Sequence, residues 1–238
     1  MLSVRMKCLS RFFLLVLTAL VSISGFAQDP SANHDPVYGY DALLYNGKIY
    51  YFTPGPKTSG TPFLSDEFDT RGSVTVRDVT YPGLNINYDI YNQQVILKYT
   101  DAIGSSKLIE ISQAWLKSFV MNGSLYEFYL RADSTKRIYQ VFGSGKYRVL
   151  YYQRKDLEID NTSSSGRRYF SEIQKESYVQ INDQLHKYKN SGSFIKAFSK
   201  TQQDLIKTYI RRHNVDVRKA NTFIMTDLIN YCNTLAGL

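Results

Sequence analysis

The feature that most restricts the fold of this 238-residue chain is a series of short segments in which apolar and polar residues alternate. In the clearest segment, residues 84–90 (LNINYDI), every second residue is apolar. A period of two is typical of a β-strand with one buried face, because successive side chains point to opposite sides. Similar segments recur about every eight to twelve residues, which predicts a mainly β fold, either an antiparallel sandwich or a barrel-like sheet.

Residues that favour tight turns separate these segments. Glycine and asparagine accept the positive φ angles that short hairpin loops need. Asn46-Gly47 therefore predicts a hairpin between residues 43–45 and 48–51, and Pro82-Gly83 predicts a turn after a strand that ends at Tyr81. Further turns are expected at Asn92-Gln93, Asn122-Gly123 and Gly143-Ser144-Gly145.

The C-terminal part of the chain follows a helical period instead. The apolar residues between Leu205 and Ile210 share one face of a first helix, which Ser199 to Gln202 can begin as a capping box. A second helix is expected after Asn214 or Asp216, either of which can cap it. Its predicted apolar stripe consists of Ala220, Phe223, Ile224, Leu228, Tyr231, Cys232 and Leu235. Strands followed by helices predict an α+β protein overall.

The N-terminus has the parts of a secretory signal peptide. Basic Arg5, Lys7 and Arg11 lead into an apolar stretch from Phe12 to Ile23, shorter than the roughly 20 residues of a membrane span. Small residues follow, and cleavage is expected after Ala27. The predicted organisation is a signal peptide (residues 1–27), a β-rich domain (residues 28–195) and a C-terminal helical pair packed on that domain (residues 196–238).

Export has consequences for location and for the cysteines. The cleaved chain is expected in the periplasm or at the outer membrane, with no membrane span. Only Cys232 remains after residue 27, so no disulfide can form within one chain. Because Cys232 falls on the apolar stripe of the second helix, we expect a buried, unreactive thiol.

Basic residues are frequent in the predicted helical pair. The full chain has 29 Lys and Arg against 21 Asp and Glu, and residues 1–27 hold three basic residues and no acidic one, which leaves a net charge of +5 after cleavage. This modest excess and the export signal argue against nucleic-acid binding. The basic face has three open interpretations: contact with anionic lipid, docking of an acidic partner, or an ordinary solvated helix surface. The face consists of Lys200, Lys207, Arg211, Arg212, Arg218 and Lys219.

No sequence motif specifies a catalytic, cofactor or metal site. The three histidines are not at the four-residue spacing that places two zinc ligands on one helical face. The chain has no phosphate-binding glycine loop and no G-x-S-x-G nucleophile elbow. The acidic residues between Asp66 and Asp69 do not match the spacing of an EF-hand. We therefore predict no catalytic residue, no cofactor and no metal ligand.

Two functional hypotheses from different classes remain. The first is a non-catalytic envelope protein that binds an envelope protein, a glycan or a lipid, with peripheral membrane contact as one form of binding. The second is a periplasmic hydrolase that acts on glycan or peptide through carboxylates that the sequence does not identify. A pocket with two converging carboxylates and one raised pKa would favour the second. An apolar groove between sheet and helices would favour binding.

Three parts of the chain resemble one group of proteins. They are residues 44–50 (LYNGKIY), the stretch from Gly72-Ser73-Val74 to Asn87-Tyr88-Asp89-Ile90, and the tail from Ser199 to Tyr231. Together they are similar to exported, functionally uncharacterised Bacteroidota proteins of about this length. The chain departs from that group at residues 76–78, where Val-Arg-Asp stands in place of a Tyr-x-Gly step. The resemblance implies export and brings no reaction, cofactor or catalytic residue.

Overall fold

The computed structural model describes residues 44, 47–52, 54–55, 57–100, 103–130, 135–160 and 166–237. These residues belong to one compact unit that spans residues 40–238. The predicted signal peptide (residues 1–27) and Tyr45-Asn46 of the predicted first hairpin lie outside the described residues. Within the described ranges, no helix is both long enough and apolar enough to cross a bilayer.

Strands make up most of the regular structure, as the alternation predicts. They are β1 (Lys48–Ile49), β2 (Thr58–Ser59), β3 (Asp69–Val76), β4 (Val79–Asp89), β5 (Gln94–Thr100), β6 (Ser106–Glu110), β7 (Leu116–Met121), β8 (Ser124–Leu130), β9 (Lys136–Phe142), β10 (Tyr147–Arg154), β11 (Leu157–Ile159), β12 (Arg168–Phe170), β13 (Gln174–Ile181) and β14 (Gln184–Tyr188). The helices are α1 (Ser191–Ile195), α2 (Lys200–Arg212) and α3 (Thr222–Thr234). The mainly β, α+β class with a C-terminal pair of helices is confirmed.

Eleven of the strands form one long sheet in the order β1-β6-β5-β4-β3-β7-β8-β9-β10-β13-β14. Its neighbouring strands are antiparallel throughout. The described part of the predicted first hairpin joins this sheet at its edge, because Lys48 and Ile49 pair with Glu110 and Ile109 of β6. Strands β11, β12 and β2 form a separate small sheet.

The long sheet curls back on itself. The ring of Tyr88 on β4 lies 5.8 Å, centroid to centroid, from the ring of Tyr126 on β8, although β3 and β7 separate these strands. At the turn after β4, the Gln93 Nε2 atom donates a hydrogen bond of 3.1 Å to the carbonyl of Gln153 at the end of β10. In a flat sheet, five strand steps of about 4.8 Å would separate these positions by roughly 24 Å. The strands therefore form one strongly curved, barrel-like row.

Most of the predicted turns are confirmed. Asn122-Gly123 joins β7 to β8 with φ angles of 51° and 69°, as a two-residue hairpin loop requires. Asn92-Gln93 completes the turn between β4 and β5, and residues 143–145 lie between β9 and β10. Arg77-Asp78 is a two-residue loop between β3 and β4.

The prediction of a turn at Pro82-Gly83 is wrong, because both residues lie inside β4. Tyr81 pairs with Val74 and Leu84 pairs with Gly72, so that two residues of β4 stand opposite one residue of β3. At such a β-bulge the missing N–H of proline removes no ladder hydrogen bond, and Gly83 takes a φ of 68°. The two residues therefore bend the strand instead of ending it.

The helical part of the chain begins before residue 196, because α1 is already formed there. At the start of α2, the Ser199 N–H donates a hydrogen bond of 3.4 Å to Gln202 Oε1, which is one arm of the predicted capping box. Helix α3 is capped by Asn221, whose Oδ1 atom accepts from the Ile224 N–H at 2.9 Å, and not by the two earlier residues expected from the sequence. Residues 214–221 therefore link α2 to α3 and are called the connection below.

The helices lie on one face of the last strands of the long sheet. Their buried side chains, which include Ile206, Leu228 and Cys232, share one hydrophobic cluster with Val149 and Val179 of the sheet. A second cluster belongs to the earlier, curled strands and includes Val74, Ile86, Tyr88, Phe119 and Tyr126. Among the described residues, helices therefore cover the sheet only toward its C-terminal end.

Asn233 fixes α3 to β10. Its Oδ1 atom accepts from the Tyr147 N–H at 2.8 Å, and its Nδ2 atom donates to the Tyr147 carbonyl at 2.8 Å. The side-chain amide thus pairs with the strand as a further strand residue would. The close approach requires glycine in the turn before β10, because a Cβ on Gly143 would lie 2.5 Å from Ile229 Cγ2 and the φ of Gly143 is 74°.

Candidate functional site

The basic residues predicted on the first helix share one exposed side of α2. Lys200, Lys207 and Arg211 are spaced at i, i+7 and i+11, which places them within about 40° of one another around the helix axis. All three are exposed, as is Arg212, which lies about 100° further round. Lys200 and Arg211 are about 16 Å apart along the axis, so these residues form a long stripe and not a pocket.

The other two predicted residues, Arg218 and Lys219, lie in the connection. The Nε and Nη2 atoms of Arg218 each donate a hydrogen bond of 3.1 Å to the carboxylate of Asp216. These bonds lower the pKa of Asp216 and partly neutralise the positive charge of Arg218. Lys219 is exposed. The predicted face therefore continues from α2 into the connection, with Lys219 carrying its charge there.

Phe223 and Ile224 were expected in the buried stripe of α3, and this expectation is wrong. Phe223 is 80% exposed and Ile224 is 40% exposed. The buried side chains of α3 are those of Met225, Leu228, Ile229 and Cys232. At 100° per residue, Phe223 lies on the opposite side of the helix from Cys232. The first turn of α3 consequently displays two apolar side chains beside the basic connection.

A cleft between α2, the connection and α3 contains this exposed pair. Its volume is about 380 Å³, and we call it the aromatic cleft. The ring of Tyr209 is stacked between the rings of His213 and Tyr231, with centroid distances of 4.2 and 4.1 Å. The cleft is lined by Tyr209, His213, Asn214, Val215, Asp216, Lys219, Ala220, Phe223, Ile224 and Asp227.

The hydroxyl group of Tyr209 is a hydrogen-bond donor in this cleft. It donates to the carboxylate of Asp227. Burial, and then this hydrogen bond, raise the pKa of Tyr209 to about 12. The phenol therefore stays protonated at neutral pH and cannot act as a base there. The aromatic cleft offers stacked rings, apolar side chains and a protonated hydroxyl, which are groups suited to binding.

A second cleft lies on the other side of the connection, where β13 and β14 meet Arg218. Its volume is about 400 Å³, and we call it the cationic cleft. The Lys175 Nζ atom donates a hydrogen bond of 2.9 Å to the Arg218 carbonyl and lies 4.2 Å from the centroid of the Tyr151 ring. Loss of water around this ammonium lowers the pKa of Lys175. The cleft is lined by Lys175, Glu176, Ser177, Lys187, Tyr188, Lys189 and Arg218.

Sequence reasoning missed the lysines of the cationic cleft. Strand β14 was not predicted, although Asn182-Asp183 before it was an available turn signal. Both residues have positive φ angles, 46° and 64°, as in a two-residue hairpin loop. Lys189 follows this strand directly, and Lys175 lies on its partner β13. Nothing local in the sequence places either lysine beside Arg218.

The carboxylates do not provide the signature expected of a glycosidase or a similar hydrolase. Four carboxyl groups in the described ranges have displaced pKa values, and all four values are lowered, in each case mainly by hydrogen bonds to the carboxylate. A general acid at neutral pH needs a raised pKa instead. The four groups are Asp69, Asp78, Glu176 and Asp216.

Metal and thiol chemistry also lack a visible site in this part of the chain. Among the described residues, no three His, Cys, Asp or Glu side chains are grouped as metal ligands would be. Cys232 is fully buried, as the sequence predicted, and burial raises its pKa to about 12. A thiol with so high a pKa is a poor nucleophile.

No protein-family model, no curated protein and no solved structure matches the chain. Function must therefore be inferred from the described side chains. The aromatic cleft and the cationic cleft each bring several of them together at the surface.

Proposed function

We propose that this protein is an exported cell-envelope protein that acts by binding, and that the tip of its helical pair docks on an anionic lipid surface. One observation carries the proposal: Phe223 projects from α3 with 80% of its surface exposed and lines the aromatic cleft together with Lys219 of the connection. Export is supported by the signal-peptide pattern of residues 1–27.

The charge of the chain is concentrated in the helical part. Residues 196–238 contain seven Lys and Arg but three Asp and Glu. The preceding residues of the predicted cleaved chain, 28–195, are almost balanced, with 19 basic and 18 acidic residues. Each Lys or Arg near an anionic membrane contributes about 1 kcal/mol to binding. The helical part is therefore the surface that an anionic membrane would attract most strongly.

Exposed apolar side chains beside these charges favour a lipid interface over purely electrostatic contact. Burial of a Phe side chain stabilises a complex by about 1.5 to 3 kcal/mol. Phe223 and Ile224 occupy one turn of α3 and can enter the boundary between headgroups and acyl chains while Lys219 stays among the headgroups. The sum of these contributions corresponds to reversible, peripheral binding.

The competing hypothesis of a periplasmic hydrolase has less support. The aromatic cleft contains two carboxylates, those of Asp216 and Asp227, but Arg218 lowers the pKa of the first and the second accepts a hydrogen bond from Tyr209. The lowered pKa of Asp216 is the opposite of what a general acid at neutral pH requires. Binding explains the exposed Phe223, and hydrolysis does not.

Vesicle sedimentation tests the proposal. We expect the purified protein to bind vesicles of phosphatidylcholine mixed with phosphatidylglycerol, and to bind pure phosphatidylcholine much less. High salt should weaken binding because it screens the charges. Phe223→Ser should reduce the bound fraction severalfold. Leu130→Ser is the matched control, since Leu130 is 70% exposed on β8, outside the helical pair.

Two results would overturn the proposal. One is equal binding to neutral and anionic vesicles. The other is an equal loss of vesicle binding for Phe223→Ser and Leu130→Ser. That result would mean that any exposed apolar side chain contributes to vesicle binding, whether or not it lies on the helical pair. If the protein binds an acidic protein through the same residues and binds no vesicles, the basic face serves a protein partner instead.

A further inference from the structure

The cationic cleft differs from the basic stripe on α2 because it is concave and assembled from distant parts of the chain. Lys175 comes from β13, Lys189 follows β14, and Arg218 belongs to the connection. The stripe on α2 is a row of exposed side chains on one helix. A concave arrangement lets several donors reach one small anion, which a row of side chains on one helix does not.

The charges around this cleft leave an excess of positive charge on one side of the β13–β14 hairpin. Alternation along β13 puts Lys175 and Ser177 on one face of the sheet and Glu176 on the other. The Glu176 carboxylate is paired with Lys187, whose Nζ atom lies 3.0 Å from Glu176 Oε2. This ion pair is nearly neutral, and its carboxylate lies on the opposite face from Lys175.

Asp216 is the second acidic group near the cleft. It accepts two hydrogen bonds from the Arg218 side chain, so Arg218 is already compensated, as Lys187 is by Glu176. The Asp216 carboxylate also acts on Lys175, where its attraction opposes the lowering of the Lys175 pKa by burial. Lys189 carries its charge at an exposed position. The Lys175 ammonium group has three N–H donors. One of them donates a hydrogen bond of 2.9 Å to the Arg218 carbonyl, which leaves two N–H donors for an anion.

We propose that the cationic cleft binds a phosphate group, with Lys175 and Lys189 as its principal donors and Arg218 beside them. A phosphate offers several strong acceptor oxygens to such donors. The ammonium of Lys175, already partly stripped of water against Tyr151, gains more from an anion than a fully hydrated ammonium would.

This proposal deepens the proposed function and rests on it for the source of the phosphate. Arg218 lines the cationic cleft, whereas its neighbours Asp216 and Lys219 line the aromatic cleft. The two clefts therefore involve neighbouring residues of the connection. In this proposal the phosphate of a lipid occupies the cationic cleft, and its apolar part extends toward Phe223 of the aromatic cleft. The volume of about 400 Å³ exceeds that of a free phosphate ion and leaves room for the rest of a headgroup.

The test is calorimetric titration of the purified protein with inorganic phosphate at constant ionic strength, with chloride as the replaced anion. We expect Lys175→Gln and Lys189→Gln each to weaken phosphate binding by about tenfold, because each removes a charge-assisted hydrogen bond. Lys196→Gln is the matched control. It removes the same charge from an exposed position at the end of α1, outside the lining of the cationic cleft, and should change the dissociation constant by less than about twofold.

Lys189 is exposed, so Lys189→Gln leaves the packing of the hairpin intact even if Lys175→Gln disturbs the contact with Tyr151. A second control, Lys200→Gln, removes one charge from the far end of α2. If phosphate binds no better than chloride, or if all four variants weaken it equally, the cationic cleft is not a phosphate site.

Vesicles of phosphatidylcholine and phosphatidic acid in equal parts separate the two sources of phosphate. Weaker vesicle binding by Lys189→Gln, together with competition by inorganic phosphate, supports a lipid headgroup. If the protein binds vesicles but not inorganic phosphate, the phosphate site is overturned while the proposed function stands. If it binds inorganic phosphate through Lys189 but binds no vesicles, the phosphate site stands and the proposed function is overturned.

Discussion

The two halves of the long sheet bury the same face in different ways. In the earlier half, strand side chains pack on one another: the rings of Phe119 on β7 and Tyr126 on β8 are stacked with centroids 4.6 Å apart and planes 3° apart. In the later half, Val149 on β10 and Val179 on β13 pack against helices α2 and α3. Paired residues across β7, β8, β9 and β10 show that these side chains share one face of the sheet.

This difference explains where a binding surface can form. The earlier half closes its core by curling, and the apolar side chains of its buried cluster pack on one another inside the curl. The later half needs a cover, and the cover has an outer side of its own. The basic stripe of α2 and the exposed Phe223 lie on the helices that provide this cover. The outer side of these covering helices does not form part of the core. Its residues can therefore differ in charge and polarity while the core is kept.

The largest effect is expected from a charge placed between helix and sheet. Leu228 is fully buried in the cluster that joins α3 to the strands. Leu228→Asp should lower the free energy of unfolding by more than about 5 kcal/mol, because a buried, unpaired carboxylate is strongly unfavourable. Urea unfolding measures the change. Leu228→Met is the control and should cost less than about 1.5 kcal/mol. An unchanged melting temperature for Leu228→Asp would mean that α3 does not cover the sheet.

In the curled half, the corresponding change is Phe119→Ala. It removes a fully buried ring that contacts both Tyr88 and Tyr126. We expect a loss of about 3 to 5 kcal/mol in the free energy of unfolding, from lost burial and a residual cavity. Chemical denaturation checks this value. A loss below about 1 kcal/mol would show that the curled half is loosely packed and that the comparison between the halves fails.

A smaller and more local effect is expected from Asn233→Ala. The change removes both hydrogen bonds to Tyr147 and should cost about 2 kcal/mol. Amide exchange at Tyr147 should become faster, while exchange in β7 and β8 should not change. Asn230→Ala, on the exposed side of the same helix, is the matched control. Equal acceleration in both halves would show that they open as one unit.

The smallest effect concerns Glu176 on the outer face of the helix-covered half. A hydrogen bond from the Tyr178 hydroxyl, and then Lys187, lower the pKa of Glu176 below its usual value of 4.5. A carboxyl group with a lowered pKa in the folded state stabilises the protein above that value and loses its contribution as the pH falls through the folded-state pKa.

Glu176→Gln should therefore lower the melting temperature slightly at pH 7 and make no difference at a pH well below 4.5. Differential scanning calorimetry at both pH values measures this. Glu172→Gln, at an exposed position before β13, serves as the reference. If the decrease in melting temperature caused by Glu176→Gln became larger at low pH, the pKa of Glu176 would not be lowered in the folded protein.

Some residues of the candidate site could be placed correctly from the sequence, and others could not. Lys200, Lys207 and Arg211 were correctly assigned to one side of a helix, since that relation depends on spacing alone. Phe223 was assigned to the wrong side of α3. The apolar residues of that helix fit more than one stripe, and contact with β10 decides which stripe is buried.

Pro82-Gly83 illustrates the same limit in the sheet. Proline followed by glycine usually marks a turn, and the local signal favoured one here. Pairing with β3 instead places both residues at a bulge within β4. Pairing with a neighbouring strand therefore overrode a local signal that predicted a turn.

The sequence by itself determined the local features of this protein: the alternation that makes strands, the residues that accept tight turns, and the helical period at the C-terminus. Only the tertiary structure decided the curl of the sheet, the buried side of α3 and the two clefts beside the connection. The Lys175 ammonium meets the Arg218 carbonyl across 43 residues of chain. Local periodicity acts over a few residues, whereas such a meeting depends on how the whole sheet bends and which face the helices cover.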